Sequence, residues 1–503
     1  MPTSLTENIS NEITKRSQIR PESRAICDGE NTLSYRELEN AIKGAQYELE
    51  ILGCKRGELV LAVGENSIGF AVFLLTAARM GLHVILENGR RASPEIHKII
   101  DHSDPVSQFY FHDNSLDCRS HSTFFKASIR HSSVFGEYGF IRDNVHDSYP
   151  VDANVFAIIY TTGTTGVPKG VMLTHSNFTF IAMMMQRLRK IKPDDQVLAI
   201  LPISHVMGFA SVFFGALYSG ATVYFLPKFS SEKCLELIIK NKITVLQGAP
   251  IMFAKLVDYI RSNKLIGFST LRFLGSGGAP IDKNLKKDVK SIFQCDLQNG
   301  YGLTEMASIS WTRFEDKVLD DSVGLPLPGV EIQFRNAEGT PCGICEVGEL
   351  WAKGPNLMMG YFKNPELTNK VIDKDGWFNT QDLGYVNDIG ALYIVGRTSD
   401  VIIRSGFKVY PLEVESVLLS HPHILHAAVV GHTISTNEEV WAFIERDKKY
   451  SLNTDEVSSY LNAQLSPYKR PSRIIFMESL PLAANGKVLK SKLMDQITQY
   501  DWR

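Results

Sequence analysis

The stretch Tyr160-Thr161-Thr162-Gly163-Thr164-Thr165-Gly166-Val167-Pro168-Lys169-Gly170 follows directly on an apolar run at residues 155–159. The run predicts a buried strand, with the polar stretch at its carboxyl end. Glycines let the backbone approach a ligand closely, while threonine hydroxyls, backbone N–H groups and a lysine hold anionic oxygens. The stretch therefore predicts a polyphosphate site rather than a surface turn. It lacks the spacing of a Walker A loop.

The bulk composition is that of a globular protein with more than one domain. The chain has 503 residues, which is too many for one core. Its 53 basic and 55 acidic residues give a formal charge of −2, so nothing in the balance predicts a nucleic-acid partner. Seven cysteines do not form the pattern of a secreted disulfide framework. The pair Cys342 and Cys345 is read as part of a turn between strands, since glycines and a proline surround it.

One uncharged segment, residues 206–226, has about the length of a membrane span. It contains several glycines and ends in β-branched residues, so we expect a buried helix ending near Gly220 and then a strand at 221–226. The first twenty residues show no apolar core of a signal peptide. These features predict a cytoplasmic protein without a transmembrane span.

Strand-like and helix-like segments alternate through most of the chain. Strands are expected at residues 59–63, 84–86, 197–201, 221–226, 245–247 and 272–274, and helices at 69–80 and 231–241. This alternation predicts an α/β fold: a large, multi-lobed N-terminal domain at 1–398 with largely parallel sheets. Residues 115–149 are polar and weakly patterned, and we interpret them as a peripheral insert or a poorly packed lobe. Residues 399–503 predict a small α+β C-terminal domain.

The C-terminal segment has its own expected elements. They are helices at 412–419 and 454–465, and strands at 426–431, 440–444 and 473–476.

Several further motifs bring chemistry-bearing side chains to strand ends. Each is weak when taken alone, because a single histidine, carboxylate or lysine is more often structural or solvated. The motifs are residues 201–208 with His205, residues 274–280 with Gly277-Gly278-Ala279-Pro280, residues 299–305 with Asn299-Gly300-Tyr301-Gly302-Leu303-Thr304-Glu305, residues 377–384 with Asp382, residues 396–406 with Arg397, Asp400 and Gly406, and residues 481–488 with Lys487.

In this order and spacing the motifs resemble those of the adenylate-forming superfamily, which contains acyl- and aryl-CoA ligases, nonribosomal peptide adenylation domains and firefly luciferase. The resemblance runs from Leu33 to Lys487. It implies that a carboxylate attacks the α-phosphate of Mg·ATP, giving an acyl-adenylate and pyrophosphate. A thiol, usually that of coenzyme A, then displaces AMP. The small domain rotates between the two steps, so that one set of catalytic groups replaces another.

The resemblance also implies a role for each matching residue. Lys487, Thr304, Glu305 and His205 would be the catalytic set, with Lys487 bridging carboxylate and α-phosphate. Mg²⁺ would be held by Glu305 and Thr165. The acyl pocket would include His205, Phe209 and Gly277, and Asp400 and Gly406 would mark the hinge and the coenzyme A tunnel. ATP and AMP would contact Thr161, Thr162, Gly163, Thr164, Thr165, Gly166, Lys169, Gly278, Ala279, Pro280, Asn299, Gly300, Tyr301, Gly302, Thr304, Asp382, Arg397 and Lys487.

The sequence departs from the family pattern at three positions. Thr162 stands where serine is common, Gln381 where glycine is usual, and Ser405 where a second glycine is common. None of these changes removes a charged catalytic group. We expect the ribose carboxylate and the thiol tunnel to be affected slightly.

The substrate class follows from the segment after His205. Members that activate amino acids place an aspartate there, whereas residues 205–219 contain no acid, so a buried ammonium would be unpaired. The phenylalanines of this segment predict an apolar or aromatic small carboxylic acid, as in aryl- or medium-chain acyl-CoA ligases. Three functions stay open: an acid–CoA ligase, a stand-alone ligase that loads the phosphopantetheine of an acyl carrier protein, and a non-catalytic nucleotide-binding protein on the same fold.

Overall fold

The structure is a computed structural model that describes residues 8–29, 31–143, 149–162, 168–281, 283–313, 321–434, 437–447, 450–481, 488–490 and 492–495. Its α-helices are α1 Ile9–Ile19, α2 Tyr35–Ile51, α3 Ile68–Met80, α4 Ser93–Ser103, α5 Leu116–Phe124, α6 His175–Arg189, α7 Gly215–Tyr218, α8 Ser231–Lys240, α9 Pro250–Asn263, α10 Lys283–Phe293, α11 Pro365–Val371, α12 Pro411–Leu419 and α13 Thr454–Asn462.

The strands are β1 Arg24–Asp28, β2 Asn31–Ser34, β3 Leu59–Gly64, β4 His83–Asn88, β5 Ser107–Phe111, β6 Ser128–Ser132, β7 Gly136–Arg142, β8 Val155–Thr162, β9 Pro168–Thr174, β10 Gln196–Ala199, β11 Thr222–Phe225, β12 Val245–Gly248, β13 Phe273–Gly277, β14 Leu297–Tyr301, β15 Ser310–Trp311, β16 Leu325–Pro326, β17 Glu331–Arg335, β18 Gly348–Lys353, β19 Gly360–Tyr361, β20 Phe378–Val386, β21 Leu392–Arg397, β22 Ile402–Arg404, β23 Phe407–Val409, β24 Ile424–Ile434, β25 Asn437–Arg446 and β26 Arg473–Met477.

Two large sheets form the N-terminal part of the molecule. A nine-stranded sheet has the order β16-β15-β14-β13-β12-β10-β11-β1-β2, and an eight-stranded sheet has the order β19-β9-β8-β4-β3-β5-β7-β6. Strands from β14 to β1 in the first sheet, and β8, β4, β3 and β5 in the second, pair in parallel. The edges are antiparallel. The predicted α/β class is therefore confirmed, with parallel centres and antiparallel margins.

Apolar runs explain the central elements. All six residues of β3 are buried, as expected for a strand covered on both faces. Helix α3 follows at once: its N-cap Ser67 accepts a hydrogen bond from the N–H of Phe70 at 3.2 Å, and Gly81 ends it at φ 72°. Ten of its residues are buried between layers. The turn that contains Cys342 and Cys345 lies between β17 and β18, as predicted.

Residues 115–149 are interpreted from the sequence as a peripheral insert or a poorly packed lobe; β6 and β7 do lie at one edge of the eight-stranded sheet, but the expectation of poor packing is wrong for the part that the structure describes. Strand β7 pairs with β5 inside the eight-stranded sheet. Phe135 and Tyr138 are fully buried and contact each other edge-on, with ring centroids 5.8 Å apart. Phe135 and Tyr138 complete the core, because both contact rings of β5, and Phe135 also contacts a ring of α3.

The uncharged segment 206–226 is a buried helix followed by a strand, as predicted. Its first part, Met207–Phe214, is a π-helix that continues into α7, and β11 follows after Gly220 at φ 79°. No helix of the described ranges is long and apolar enough to cross a membrane. A π-helical segment often marks a functional site, because it shifts the side chains that face a ligand.

A third sheet and a separate C-terminal core complete the fold. The antiparallel sheet β17-β18-β20-β21 leads to a 3-10 turn at Thr398–Asp400. Beyond it, the hairpin β22-β23 and the sheet β24-β25-β26 pack with α12 and α13 around their own apolar clusters. The predicted helices and strands of this part are all present, with bounds that differ by a few residues.

Candidate functional site

The predicted phosphate loop connects two antiparallel strands. Thr161 on β8 pairs with Lys169 on β9, and Thr162 pairs with Pro168. The predicted ATP-contacting residues Gly163, Thr164, Thr165 and Gly166 lie outside the described residues. The hairpin brings the loop to the carboxyl end of β8, at the edge where ligands bind in open parallel sheets.

Glu305 and Lys169 meet at one aromatic side chain. The hydroxyl of Tyr361 donates a hydrogen bond to Oε1 of Glu305 at 2.8 Å, and Nζ of Lys169 lies 5.8 Å from the centroid of the same ring. Burial and the carboxylate of Glu305 raise the pKa of Tyr361 above its usual range, so the phenol stays a proton donor. The arrangement orients one oxygen of Glu305 and leaves the other for a cation.

Asp382 is the centre of a second cluster, built by β14, β20 and β21. Nε of Arg397 donates to its Oδ1 at 2.8 Å, and the hydroxyl of Tyr301 donates to its Oδ2. Burial, and then the charge of Asp382, raise the pKa of Tyr301 well above its usual value. The Asp382 side chain is buried. Its two donors use only part of the acceptor capacity of the carboxylate, so the remaining lone pairs can accept hydrogen bonds from ligand hydroxyls.

The segment between these clusters is held by Trp311 and Asn356. A side chain at Gly300 would lie 1.9 Å from the indole of Trp311, so only glycine fits there. Nδ2 of Asn356 donates to the carbonyls of Met306 and Ser308, each at 2.7 Å. Residues 302–307, which include Gly302 and Thr304, are therefore fixed from both sides.

Asn299 carries a buried acceptor that no described residue uses. Its Nδ2 donates to the carbonyl of Ser322 at 3.2 Å, which sets the orientation of the amide, whereas Oδ1 has no hydrogen-bond partner within the described part of the chain. A buried carbonyl oxygen without a donor is costly. It fits a ligand amine such as that of adenine.

The glycine-rich end of β13 faces the π-helix. Gly277 lies on the strand and Gly278 follows it at φ 82°, with half-buried Ala279 and exposed Pro280 next in the chain. Sδ of Met207 lies 3.6 Å from the place of a β-carbon on Gly277. This end of the strand therefore offers backbone and a soft thioether to a flat ligand.

His205 begins the π-helical segment. Burial, followed by the charges of Arg91 and Arg90, lowers the pKa of His205 to about 4, so the imidazole is neutral at pH 7. Its Nε2 is buried and meets no hydrogen-bond partner among described residues. Phe209 instead packs toward the other layer, with ring centroids 5.0 Å from Phe178 and 5.8 Å from Phe156, so its place in the acyl pocket stays a prediction.

The predicted hinge and tunnel residues lie on the C-terminal side. Asp400 ends the 3-10 turn, and its Oδ1 accepts a hydrogen bond from Ser399 at 2.8 Å. Ser405 and Gly406 form the turn of β22-β23 with φ 51° and 82°. The predicted catalytic residue Lys487 lies outside the described residues.

Sequence reasoning missed three residues of this region. Tyr361 follows Gly360 in a short strand, and its only signal was an aromatic residue directly after a glycine. Trp311 gave no local signal. Arg189 shares the buried face of α6 with Met185 and Ala182, and a charge on an apolar helical face could have revealed it.

Comparison with known proteins identifies the family. The AMP-binding enzyme family model matches residues 13–362, and the model of the AMP-binding enzyme C-terminal domain matches residues 413–487. The chain is 30% identical to a 4-coumarate-CoA ligase of Narcissus pseudonarcissus, over 93% of this chain and 90% of that protein. It is also 30% identical to a 2-succinylbenzoate–CoA ligase of Geobacillus sp. (strain WCH70), over 97% and 98%.

Solved structures resemble the whole fold. ATP-bound MatB from Rhodopseudomonas palustris superposes with a TM-score of 0.84 at 26% identity, covering 98% of this chain and 99% of that one. The Bacillus subtilis o-succinylbenzoate CoA synthetase MenE with its acyl-adenylate intermediate gives 0.81 at 26%, covering 96% and 97%. The chain therefore belongs to the AMP-binding enzyme family, the adenylate-forming superfamily, and is an AMP-forming acid–thiol ligase.

Proposed function

We propose that the enzyme activates a small aryl carboxylic acid with ATP and transfers the acyl group to coenzyme A. The observation that carries this proposal is the segment 301–305, which joins two clusters. At one end Tyr301 donates to Asp382, and at the other Glu305 accepts from Tyr361. A nucleotide site and a metal-binding carboxylate thus lie four residues apart on one fixed loop.

The nucleotide fits the groups that this loop presents. Asp382, held by Arg397, accepts from the ribose hydroxyls, and Tyr301 offers its ring to adenine. The unpaired Oδ1 of Asn299 accepts from the adenine amine. Backbone at Gly278, Ala279 and Pro280 borders the base, and Thr304 reaches the α-phosphate. These assignments follow the motif order together with the contacts of Asp382 and Asn299.

The triphosphate and its cation fit the Glu305 side. Mg²⁺ in proteins is usually bound by one or two carboxylates and substrate phosphates, which is what Glu305 offers next to the Thr161–Lys169 hairpin. The bound cation would neutralise charge on the phosphate oxygens. Thr161 and Lys169 orient the β- and γ-phosphates, together with the loop that includes Thr165.

Catalysis is then mainly positioning and charge stabilisation. The carboxylate of the acid attacks the α-phosphorus, pyrophosphate leaves, and Lys487 stabilises the negative charge shared by carboxylate and α-phosphate. In the second step the thiol attacks the acyl carbon, and AMP leaves. His205 lines the acyl pocket. Because its imidazole is neutral, it neither attracts nor repels the acyl group by charge.

Two domains that meet at Thr398–Asp400 support a change of arrangement between the steps. The C-terminal part has its own core and therefore could rotate as a unit about Asp400. Gly406 then borders the pantetheine arm. We place the boundary at 398–399.

The acyl group is aromatic in this proposal, as in the printed names of the relatives. Trp311 and Met207 line the same sheet face as Gly277, which suits a flat ring. We also place the enzyme in the cytoplasm, since all seven cysteines are unpaired, as is usual in a reducing compartment.

The test is AMP release from ATP with a panel of aromatic and short aliphatic acids, with and without coenzyme A. The proposal expects repeated turnover only when both an acid and coenzyme A are present. Adenylate that accumulates without any response to coenzyme A would point instead to the phosphopantetheine of a carrier protein. Absence of pyrophosphate exchange with every acid would refute the ligase.

A further inference from the structure

The carbonyl of Tyr160 is held by a side chain that follows a different strand. Tyr160 lies near the end of β8, directly before Thr161 and the predicted phosphate loop. Nη2 of Arg91, which follows β4, donates a hydrogen bond to this carbonyl at 3.3 Å. The parallel pairing of β8 with β4 runs through Ala157 and Ile158. Arg91 therefore attaches β8 to the β4 segment two residues beyond that pairing.

Arg91 is itself fixed by a buried carboxylate. Its Nε lies 2.7 Å from Oε2 of Glu87 on β4, and the Glu87 side chain is only 2% exposed. Burial raises the pKa of Glu87 to about 7, although the charge of Arg91 opposes this rise. The donors of a guanidinium point in fixed directions, so Nε binds the carboxylate while Nη2 reaches the carbonyl. The ion pair therefore sets the direction in which Arg91 meets β8.

Helix α4, which begins two residues after Arg91, holds the side chain of Tyr160. The Tyr160 hydroxyl forms a hydrogen bond with Nδ1 of His102 over 2.7 Å, and the two rings meet edge-on with centroids 5.8 Å apart. His102 lies in the last turn of α4. The main chain and the side chain of Tyr160 are thus both attached to residues 87–103.

Tyr160 lies at the base of both arms of the hairpin that carries the phosphate loop. It pairs with Gly170 on β9, and the next pair along the hairpin is Thr161 with Lys169. A β-carbon on Gly170 would lie 3.1 Å from Cζ of Tyr160, so the two strands approach closely here. The carbonyl of Gly170 accepts a hydrogen bond from the N–H of Phe362 at 2.7 Å. A displacement of Tyr160 would therefore move Thr161 and Lys169 together.

The neighbouring arginine shows that this connection is specific to position 91. Arg90 also forms an ion pair, donating to the two oxygens of Glu65 at 2.9 and 3.1 Å. Within the described ranges, the side-chain hydrogen bonds of Arg90 go to Glu65 and not to β8. Two adjacent arginines thus form similar ion pairs, and only the second one also holds the hairpin.

We infer that Arg91 is a positioning residue for the triphosphate of ATP: anchored by Glu87, it fixes the carbonyl of Tyr160 and thereby the two arms of the phosphate loop. This inference rests on the proposed function, in which Thr161 and Lys169 orient the β- and γ-phosphates. Arg91 acts through β8 rather than by contact with the reacting atoms. Groups that are fixed before the ligand arrives bind it with less loss of conformational freedom.

This role predicts that Arg91 affects ATP and AMP differently. Both nucleotides share the adenosine and the α-phosphate, which the proposed function assigns to Asp382, Asn299 and Thr304. ATP alone carries the β- and γ-phosphates that the hairpin orients. A looser hairpin should therefore weaken the binding of ATP and leave the binding of AMP unchanged.

The first test measures the Kd of Mg·ATP and of AMP for the full-length enzyme by isothermal titration calorimetry, without acid or coenzyme A. Arg91→Lys keeps a positive charge beside Glu87, but its single nitrogen cannot occupy the places of both Nε and Nη2. We expect the Kd for ATP to rise by roughly 10-fold, the lower end of the range for hydrogen bonds that involve a charged group, and the Kd for AMP to stay unchanged.

The matched control is Arg90→Lys, which alters the adjacent ion pair and should leave both Kd values unchanged. Equal ATP affinity in the wild type and in Arg91→Lys, or the same loss for ATP and AMP, would overturn the inference and leave the ligase intact. A loss of ATP affinity in Arg90→Lys as large as in Arg91→Lys would also overturn it. A wild type that binds neither nucleotide would overturn the proposed function itself.

The second test removes the ion pair without leaving one charge buried alone, which would destabilise the fold. The double variant Glu87→Gln/Arg91→Met is neutral at both positions. We expect its loss of ATP affinity to be at least as large as that of Arg91→Lys, again without a change for AMP. A wild-type ratio of the two Kd values in the double variant would exclude the role of Arg91.

The third test separates the two half-reactions in Arg91→Lys. Only the first half-reaction contains a triphosphate or pyrophosphate. We expect the KM for ATP in pyrophosphate exchange to rise as much as the Kd, and thioester formation from supplied acyl-adenylate to keep the wild-type rate. Equal losses in both half-reactions would mean that Arg91 only supports the fold, and would contradict the inference.

Discussion

Nε of Arg397 donates to Oδ1 of Asp382 over 2.8 Å, and the two residues face each other as register partners on β20 and β21. The cross-strand pair fixes the carboxylate before any ligand arrives. Tyr301 holds the second oxygen from β14, which belongs to another sheet. The proposed ribose site is therefore preorganised by the junction of two sheets.

Asp382→Asn tests this junction. The amide would keep the shape but leave Arg397 without its anionic partner, so we expect the KM for ATP to rise by roughly 10- to 100-fold, the range for a charged hydrogen bond. Steady-state kinetics over ATP concentration measure it. Asp388→Asn, in the exposed β20–β21 turn, is the control and should leave the KM unchanged. An unchanged KM in Asp382→Asn would remove the ribose assignment.

Tyr361→Phe tests the orientation of Glu305. The variant loses the 2.8 Å hydrogen bond but keeps the ring beside Lys169. We expect the Mg²⁺ concentration for half-maximal adenylation to rise by roughly 10- to 100-fold, since a hydrogen bond to a charged group contributes about 1.5–3 kcal/mol. A Mg²⁺ titration of pyrophosphate exchange checks it. The same Mg²⁺ dependence in wild type and variant would show that Tyr361 does not orient the ligand.

Gln381→Gly tests a strained backbone position inside strand β20. Gln381 is exposed and has φ 60°, a region that costs a non-glycine residue about 1–2 kcal/mol. Glycine loses more entropy on folding, so the net gain should be up to about 1 kcal/mol in the free energy of unfolding. Urea unfolding measures it. Glu366→Gly, in helix α11, should instead destabilise by about 1 kcal/mol, and a loss of stability in Gln381→Gly would contradict the strain.

His205→Gln tests the buried imidazole through pH. The folded pKa is about 4 and the unfolded one about 6.5, so between these values the unfolded state binds more protons and stability rises with pH. Between pH 7 and pH 5, His205 should lower the free energy of unfolding of the wild type by on the order of 1 to 2 kcal/mol, and this contribution should be absent from the variant. Measuring the free energy of unfolding of both proteins at the two pH values tests this prediction. Burial and His83 also lower the pKa of His175 to about 4, so His175→Gln should reduce the pH-dependent loss of stability in the same way. An equal loss of stability in the wild type and in both variants would contradict the lowered pKa values of the two histidines.

Lys487→Ala tests the division of labour between the two steps. In the proposed mechanism the lysine charge is used only when carboxylate and α-phosphate meet, so we expect adenylation to fall by about 100-fold or more, as for one preorganised charge at a transition state. Thioester formation from supplied acyl-AMP should stay near the wild-type rate. The control is Lys490→Ala, at the ion pair with Glu415. Equal loss of both half-reactions would contradict the assignment.

Much of the fold follows from local pattern. The runs that became β3, β12 and α3 are apolar and bounded by turn residues, so burial and periodicity point the same way. Residues 115–149 could not be placed, because Phe135 and Tyr138 are buried only through pairing of β7 with β5, which is distant in sequence.

The candidate site also contains residues that the sequence predicts and residues that it does not. Asp382, Glu305 and Tyr301 lie in motifs, and their chemistry is readable from the chain. The partners that orient them are not: Tyr361 reaches Glu305 across 56 residues, and Arg189 reaches Gln247 across 58. The local pattern gives no sign of the positive φ at Gln381, and only the resemblance, in which glycine is usual at this position, pointed to it.

The most direct measurement is mass spectrometry of a quenched reaction that contains the enzyme, Mg·ATP, coenzyme A and an aromatic acid. The account predicts acyl-CoA and AMP in a 1:1 ratio, with acyl-adenylate replacing the thioester when coenzyme A is omitted. Formation of ADP, or AMP without any acyl product from every acid tried, would contradict it.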